Sequence, residues 1–549
     1  MSNCCLCGRV VHPAIAAFKH DLQPNVLRTL KANFAFWNEG DDVCPECVIQ
    51  VVDHARLEER RRGTVGLQYE LGLPFPVPSR DQAYLLPTPL RMRSHPHFTG
   101  KGVTIAFLDS GFTPHPDLTQ PINRIKCYAD ATGARVVVKR EFDEPTSSSW
   151  HGTMVSSVGV GNGHMSDGLY RGLAPDANTV LVKTGYRRGR ISEADILRSL
   201  TWVVDHHEKY DIRVVSISLG GDIDCDRILT PLEELVEEAS ELGLTIVCAS
   251  GNGGESHVMP PASAPSAITV GGVDDQNSLD RSLYGMYRSN WGTCGDRHKP
   301  DVIAPAIWVA APMVVDTPTH EQSQFLWNLY EASDADLLDI LTTKYSKARF
   351  SKDIVLQPPD IIRRAIRGRM NEDKLIHRHY QHVDGTSMAT PIVSSIVAQM
   401  LEANPHLTPK QIKKILMDTA VPLDGIPRKQ QGHGVVNGAA AVAQALRFSQ
   451  HKLRKSQHSP VLGNETIIFA FCHATAQQIS VVGSFNDWQP DANPMHRVAD
   501  GAWQLNDILP AKGSYRYKFL IDQKTWMHDP ENLEMIEDGY GGWSSVLNI

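Results

Sequence analysis

Val103-Thr104-Ile105-Ala106-Phe107-Leu108-Asp109-Ser110-Gly111 is an unbroken apolar run closed by an acid and two small residues. A run this short and rich in β-branched and aromatic residues predicts a strand buried on both faces, as in parallel sheets. Two further stretches repeat the pattern. Val214-Val215-Ser216-Ile217-Ser218-Leu219 runs into Gly220-Gly221, and Leu244-Thr245-Ile246-Val247-Cys248-Ala249 runs into Ser250-Gly251-Asn252. Helical patterns lie between them, so residues 98–448 predict an α/β fold, a parallel sheet flanked by helices. Sites in such folds form beyond the carboxyl ends of the strands. Asp109, Ser218 to Gly220, and Asn252 stand there.

The chain has 549 residues, too many for a single core, and its 42% apolar and 21% charged residues are those of a folded protein. With 54 Lys and Arg against 62 Asp and Glu the net charge is -8, so a chain-wide basic footprint for nucleic acid is absent. No apolar run approaches the ~20 residues of a membrane span. Met1 to His20 lack a basic segment followed by an apolar one, as a secretory signal would have. Neither nucleic acid nor membrane is expected as a partner, and a cytoplasmic location is. Five of the ten cysteines fall within the first 47 residues. That crowding reads as metal binding in a reducing compartment, not as a disulfide framework.

Composition divides the chain further. Residues 1–62 are Cys-rich and end in a charged helical stretch. Residues 63–97 form a connector carrying Pro74, Pro76, Pro78, Pro87, Pro89 and Pro96. After the α/β block comes a polar, basic bridge at 449–460, and residues 461–549 then change to alternating strands, turns and aromatics. That tail predicts an immunoglobulin-like β-sandwich.

The chemistry lies in a set of residues far apart along the chain. Asp109 follows the first strand, His151 opens His151-Gly152-Thr153-Met154-Val155, and Ser387 sits in Gly385-Thr386-Ser387-Met388-Ala389-Thr390-Pro391. Met388, Ile392, Ile396 and Met400 then recur at helical spacing. Proline is tolerated in a first turn, so Pro391 predicts a helix that begins close to Ser387, with the serine at its positive end. Singly, each residue has a bland reading: a turn acid, a packed histidine, a helix-capping serine. Jointly they supply a nucleophile, a base to activate it, an acid to fix the imidazole, and an amide at Asn252 to receive an oxyanion.

These motifs, in the chain order Asp, His, Ser, resemble those of the subtilisin-like serine proteases. Gly102 to Asp117, His151 to Thr153, Ser218-Leu219-Gly220, Ser250-Gly251-Asn252, Lys299 to Pro305 and Gly385 to Pro391 all resemble family motifs. The resemblance implies a serine endopeptidase acting through an acyl-enzyme on protein or peptide substrates. Asp109 would orient His151, His151 would serve as base and then acid, and Ser387 would attack the scissile carbonyl. Asn252 and the Ser387 N–H would form the oxyanion hole, and Ser218, Leu219 and Gly220 the edge that pairs with substrate. A catalytically silent scaffold and a partner-switched regulatory protease are the alternatives. The interval from His151 to Ser387 is long for the family, with the excess between about 306 and 381. That insertion reads as a lid, an oligomer contact, a partner site or a solvated excursion. Calcium is common in the family, but no residue marks a site for it. Leu85-Leu86-Pro87 resembles the short extension by which intracellular subtilisins block their own cleft; a Pro-rich tether is the other reading.

Two outer modules complete the picture. Cys4-x-x-Cys7 and Cys44-x-x-Cys47 supply four thiolates in two tight pairs, suited to structural zinc, and Cys44-Pro45-Glu46-Cys47 resembles a zinc-ribbon knuckle. Cys5 and His12 are alternative ligands; a redox pair or unliganded thiols are alternative states. In the tail, Gly483 to Trp488, Tyr515 to Leu520 and Trp526 to Pro530 resemble the glycogen-binding domains of AMP-activated kinase β subunits and of branching enzymes. The resemblance implies α-glucan contacts at Trp488, Lys518 and Trp526. The expected final asparagine appears as Ser544 or Ser545. Packing within the sandwich, or docking on the protease, is the other reading of these aromatics.

Overall fold

The computed structural model describes residues 85–95, 97–145, 149–185, 191–221, 229–294, 297–454, 460–462, 466–473, 476–499, 501–508, 511–529, 532, 535–538 and 543–549. Of the first 84 residues it describes 2–5, 10–11, 30–31, 43–44 and 47–48. The chain divides into two compact units, Met1–Ala445 and Leu446–Ile549.

The apolar runs are strands. In the first unit β1 (Thr104–Asp109), β2 (Ile125–Asp130), β3 (Asn178–Lys183), β4 (Ile212–Ile217), β5 (Thr245–Ala249) and β6 (Ile268–Asp274) lie parallel in the order β6-β5-β4-β1-β3-β2. A seventh strand, β7 (Val302–Pro305), runs parallel to β6. Every residue of β1 is buried, because Leu108 has Val182 on one side and Ile217 on the other in register. That central place explains the unbroken apolar run, since a strand covered on both faces has no position for a polar alternation.

Helices α1 (Ser149–Val160), α2 (Glu193–Tyr210) and α3 (Pro231–Glu241) follow β2, β3 and β4. The α2 and α3 helices open on capping boxes, Ser192 with Asp195 and Thr230 with Glu233, and bury Ile196, Leu200, Val203, Leu232 and Val236 against the sheet. The insertion is rooted on an antiparallel pair, β8 (Val309–Pro312) with β9 (Tyr380–Val383). Between them α4 (Pro318–Glu331), α5 (Asp334–Lys344) and α6 (Pro359–Glu372) pack Leu326, Leu329, Leu337, Leu341, Ile362 and Ile366 into a core of their own. The inserted segment is therefore a folded helical subdomain.

Helix α7 (Thr386–Ala403) is buried from Met388 to Leu401, and such a helix must satisfy its polar side chains internally. Thr390, Ser394 and Ser395 do so by donating to the carbonyls four residues back, those of Thr386, Thr390 and Pro391, at 2.9, 2.9 and 2.6 Å. Pro391 is the sixth residue of α7, beyond the first turn expected for it. The carbonyl it cannot serve is that of Ser387, four residues back.

The connector's described end is seated in the first unit. Leu85 packs with Leu169, Tyr170, Ala310, Ile376 and Tyr380, and the Leu86 N–H donates to Asn277 Oδ1 at 2.8 Å. Arg91 is fully buried. Its Nε and Nη2 each lie 2.7 Å from an Asp275 oxygen, and the guanidinium also donates to the Ile307 and Trp308 carbonyls.

The second unit holds two antiparallel sheets, one built on Thr466–Cys472 paired with Ala502–Ile508, the other on Ser514–Ile521 between Ile479–Gly483 and Trp543–Asn548. Phe469, Phe471, Trp503, Tyr517, Phe519 and Leu547, drawn from both sheets, form one core, the sandwich the alternating pattern predicts.

Removing one partner of a buried ion pair leaves the other charge uncompensated. Arg91→Ala is expected to lower the unfolding free energy by about 3–5 kcal/mol, read by denaturant titration of the full chain; a change inside experimental error would refute the role given to Arg91.

Candidate active site

Asp109 ends β1 and is completely buried. Its Oδ1 accepts from the Ser110 N–H at 2.7 Å and the Ser110 hydroxyl at 3.1 Å. His151, third residue of α1, brings Nδ1 to 2.8 Å from Oδ1 and 3.0 Å from Oδ2 of Asp109. A carboxylate only accepts, so Nδ1 carries the proton and Nε2 presents a lone pair. Gly152 makes this approach sterically feasible. A Cβ there would fall 2.3 Å from the Gly111 carbonyl and 2.9 Å from Asp109 Cβ. Thr153 then clips helix to loop, its hydroxyl accepting from the Thr113 N–H at 2.9 Å. Burial pulls the His151 pKa down, but the charge of Asp109 and its hydrogen bond together outweigh it, and the net shift is upward.

A second cluster gathers around Ser387. Gly385, at φ 136°, turns the chain from β9 into α7, a conformation open to glycine. Asn252, beyond β5, accepts through Oδ1 from the Thr386 N–H at 2.9 Å and the Thr386 hydroxyl at 3.0 Å. With Oδ1 so engaged, the Asn252 Nδ2 group is left as a donor beside Ser387. The Ser218 hydroxyl, just past β4, donates to the Ser387 carbonyl at 3.0 Å. This is the carbonyl that Pro391 leaves unserved. Leu219 and Gly220 follow Ser218 out of the sheet, and a Cβ at Gly220 would meet nothing.

The clusters are joined through their helices. The Ser395 hydroxyl on α7 shares its one proton between the Pro391 carbonyl and the Gly159 carbonyl on α1, 2.9 Å away, and Pro391 lies under Gly159. Asp109 and His151 are in direct contact, as are Asn252, Thr386 and, through its carbonyl, Ser387 with Ser218. The described structure shows no hydrogen bond between His151 and Ser387.

Three contributors lay outside the sequence reading. Asn290 braces the Asn252 loop, accepting from the Gly253 N–H at 2.7 Å while its own N–H reaches the Gly251 carbonyl at 3.0 Å; no motif surrounds it. Tyr380 donates to Asp117 at 2.6 Å, tying the insertion's return strand to the loop after Asp109. The inward bond of Ser218 was equally invisible, although the Pro391 that makes room for it was in view.

In the N-terminal module Cys4, Cys44 and Cys47 are buried thiols whose sulfurs all lie within 4.8 Å of one another. The Cys44 N–H points at Cys4 Sγ, 3.2 Å away. A tetrahedral zinc with bonds of ~2.3 Å sets its sulfurs ~3.8 Å apart, so the spacing fits. Cys7, expected as the fourth ligand, lies outside the described residues, as does His12. Cys5 is exposed. In the second unit the rings of Trp488 and Trp526 are 6.3 Å apart at 48°, and Trp526 is 46% exposed. It is not part of the core, which Trp503 enters instead. Lys518 is ion-paired with Asp538. Ser544 and Ser545 are buried, and Ser545 Oγ accepts from the Asp529 N–H at 2.7 Å. Their hydroxyls are turned away from solvent, unlike an asparagine placed to meet a sugar.

Each of the two compact units is similar to known proteins. Residues 466–549 match the family described as the glycogen recognition site of AMP-activated protein kinase. Serine protease AprX of Bacillus subtilis (strain 168) is 29% identical over 361 residues, 64% of this chain and 68% of AprX. Subtilisin BL of Lederbergia lenta is 25% identical over 343 residues, 62% of this chain and 91% of its own length. The structure of the prenylagaramide maturation protease PagA covers 63% of this chain and 94% of its own at a TM-score of 0.41 and 20% identity. Residues 100–434, more than half the chain, match the subtilase model, and the chain belongs to the subtilase family of serine endopeptidases.

Proposed function

We propose that Asp109, His151 and Ser387 are the catalytic triad of this endopeptidase, and that α-glucan directs where it acts. The observation that carries the first part is the grip of the buried Asp109 carboxylate on His151 Nδ1. It fixes the tautomer in which Nε2 can take a proton, and it stabilises the imidazolium that results. Ser387 Oγ attacks the scissile carbonyl, His151 takes the hydroxyl proton, and an acyl-enzyme forms as the proton passes to the departing amine. The oxyanion is received by Asn252 Nδ2 and the Ser387 N–H at the N-terminal end of α7. Ser218, Leu219 and Gly220 offer their main chain to an extended peptide. Catalytic hydrogen bonds often tighten only when substrate is bound, which accommodates the open His151–Ser387 contact.

The remaining roles rest on the outer modules. Cys4, Cys44 and Cys47 with Cys7 would hold a structural zinc, which supplies cross-linking and no redox chemistry. The second unit would stack glucose rings on Trp488 and Trp526, with Lys518 at its margin. The crowding of five of the ten cysteines into the first 47 residues, in ligand-like pairs, supports a reducing, cytoplasmic setting.

A fluorophosphonate probe is expected to label the wild-type chain and not Ser387→Ala, whose kcat falls by about 10⁶-fold. Because the base must be neutral and Asp109 raises its pKa, kcat/KM should climb with pH through a midpoint above the ordinary 6.5 of histidine, with unit slope. Probe labelling retained in Ser387→Ala would remove the triad.

Purified full-length protein is expected to hold one equivalent of zinc, lost together with cooperative melting of the N-terminal module in Cys44→Ser. Metal-free protein that melts as the wild type would dismiss the zinc.

Native affinity electrophoresis in glycogen should retard the wild-type chain, with Trp526→Ala weakening retention about tenfold. Equal mobility with and without glycogen would dismiss the glucan.

A further inference from the structure

Beside His151 the structure holds a cavity of about 530 Å³ that the triad does not use. Trp150 and Met154 of α1 form one wall, and Met313, Val314 and Pro318 of the insertion form the other, with Gln381 of β9 between them. Val314, Met313 and Met154 are buried, whereas Trp150 is 44% exposed. The Trp150 ring meets the His151 ring edge-on, centroids 5.4 Å apart. Among the described residues no charged side chain lines the cavity. Its size and its mostly apolar walls with a few polar groups are those of a ligand pocket.

Position decides which part of a substrate it meets. The acyl half of the peptide is assigned to Ser218, Leu219 and Gly220, and none of these lines the cavity. The cavity is lined instead by Trp150 and Met154, which flank His151 on α1, and the Trp150 ring touches that of His151, the group that hands a proton to the departing amine. One wall comes from α1 and the other from the inserted segment more than 150 positions later, so the pocket exists because the insertion folds back over α1. We propose that the insertion and α1 together form a subsite for an apolar side chain on the amine side of the scissile bond. This rests on the protease reading above and assigns the insertion a part in substrate choice.

The test isolates amine-side binding. The full-length protein is acylated by a peptide p-nitroanilide, which has no amino acid on its leaving side, in the presence of glycinamide, leucinamide or phenylalaninamide. The amine nitrogen attacks the Ser387 ester carbonyl; a C–N bond forms, the C–Oγ bond breaks, and the amine proton passes to His151 and on to Ser387 Oγ. Capture of the acyl group by leucinamide or phenylalaninamide is expected to exceed capture by glycinamide at least about tenfold. Thr319, second residue of α4, lines the same cavity and is exposed. Thr319→Trp, which fills the cavity, and Thr319→Lys, which charges it, should each bring that ratio to within about twofold, with melting temperatures matching the wild type. Amides captured alike by the wild type, or a ratio preserved in both variants, would overturn the subsite. Absence of anilide turnover in the wild type would instead strike the protease reading.

Discussion

Helix α1 can reach strand β1 because residue 152 has no side chain. The Gly111 carbonyl occupies the space a Cβ would need, and any substitution there must push the helix outward. Since His151 is the preceding residue, its distance to Asp109 is set by that packing more than by the attraction between the two side chains. The buried carboxylate, the clip from Thr153 to Thr113 and the seating of Pro391 under Gly159 all presuppose the same close approach. A tight contact between backbones thus precedes the electrostatics and makes them useful.

Much of this was legible in the chain itself. The run from Val103 to Leu108 could be read as a central strand because burial on both faces leaves only apolar choices, and Asp109 stood out as the polar residue that ends it. The tail could be read as a sandwich because its apolar residues alternate. What escaped were relations that depend on tertiary neighbours. Asn290 carries no local mark, because its task is to bond the backbone of a loop more than thirty positions earlier. Pro391 was placed in a first turn by its own stereochemistry, whereas it sits deeper because Ser218 supplies the bond that the proline withholds. The insertion was legible as extra length with helical patterns from Gln324 to Tyr345 and around Arg363 to Arg369, but those periodicities could not say that it closes a cavity beside α1.

The two ends of the chain show how one residue type divides between core and surface and how distant residues of another type converge. Trp503 is drawn into the sandwich core by its place on an inward-facing register, and Trp526, on a short edge strand, is left at the surface. Lys518 alternates with Tyr517 and Phe519, which point inward, and finds a carboxylate in Asp538. At the other end, Cys4 and the close pair Cys44 and Cys47, forty positions further along the chain, bring their sulfurs together.

The bond from Ser218 to the Ser387 carbonyl has a mechanical meaning. The end of β4 and the start of α7 share one fastener, so neither can slide without dragging the other. Strand and helix are kept in alignment by a proline that cannot donate and a serine that can.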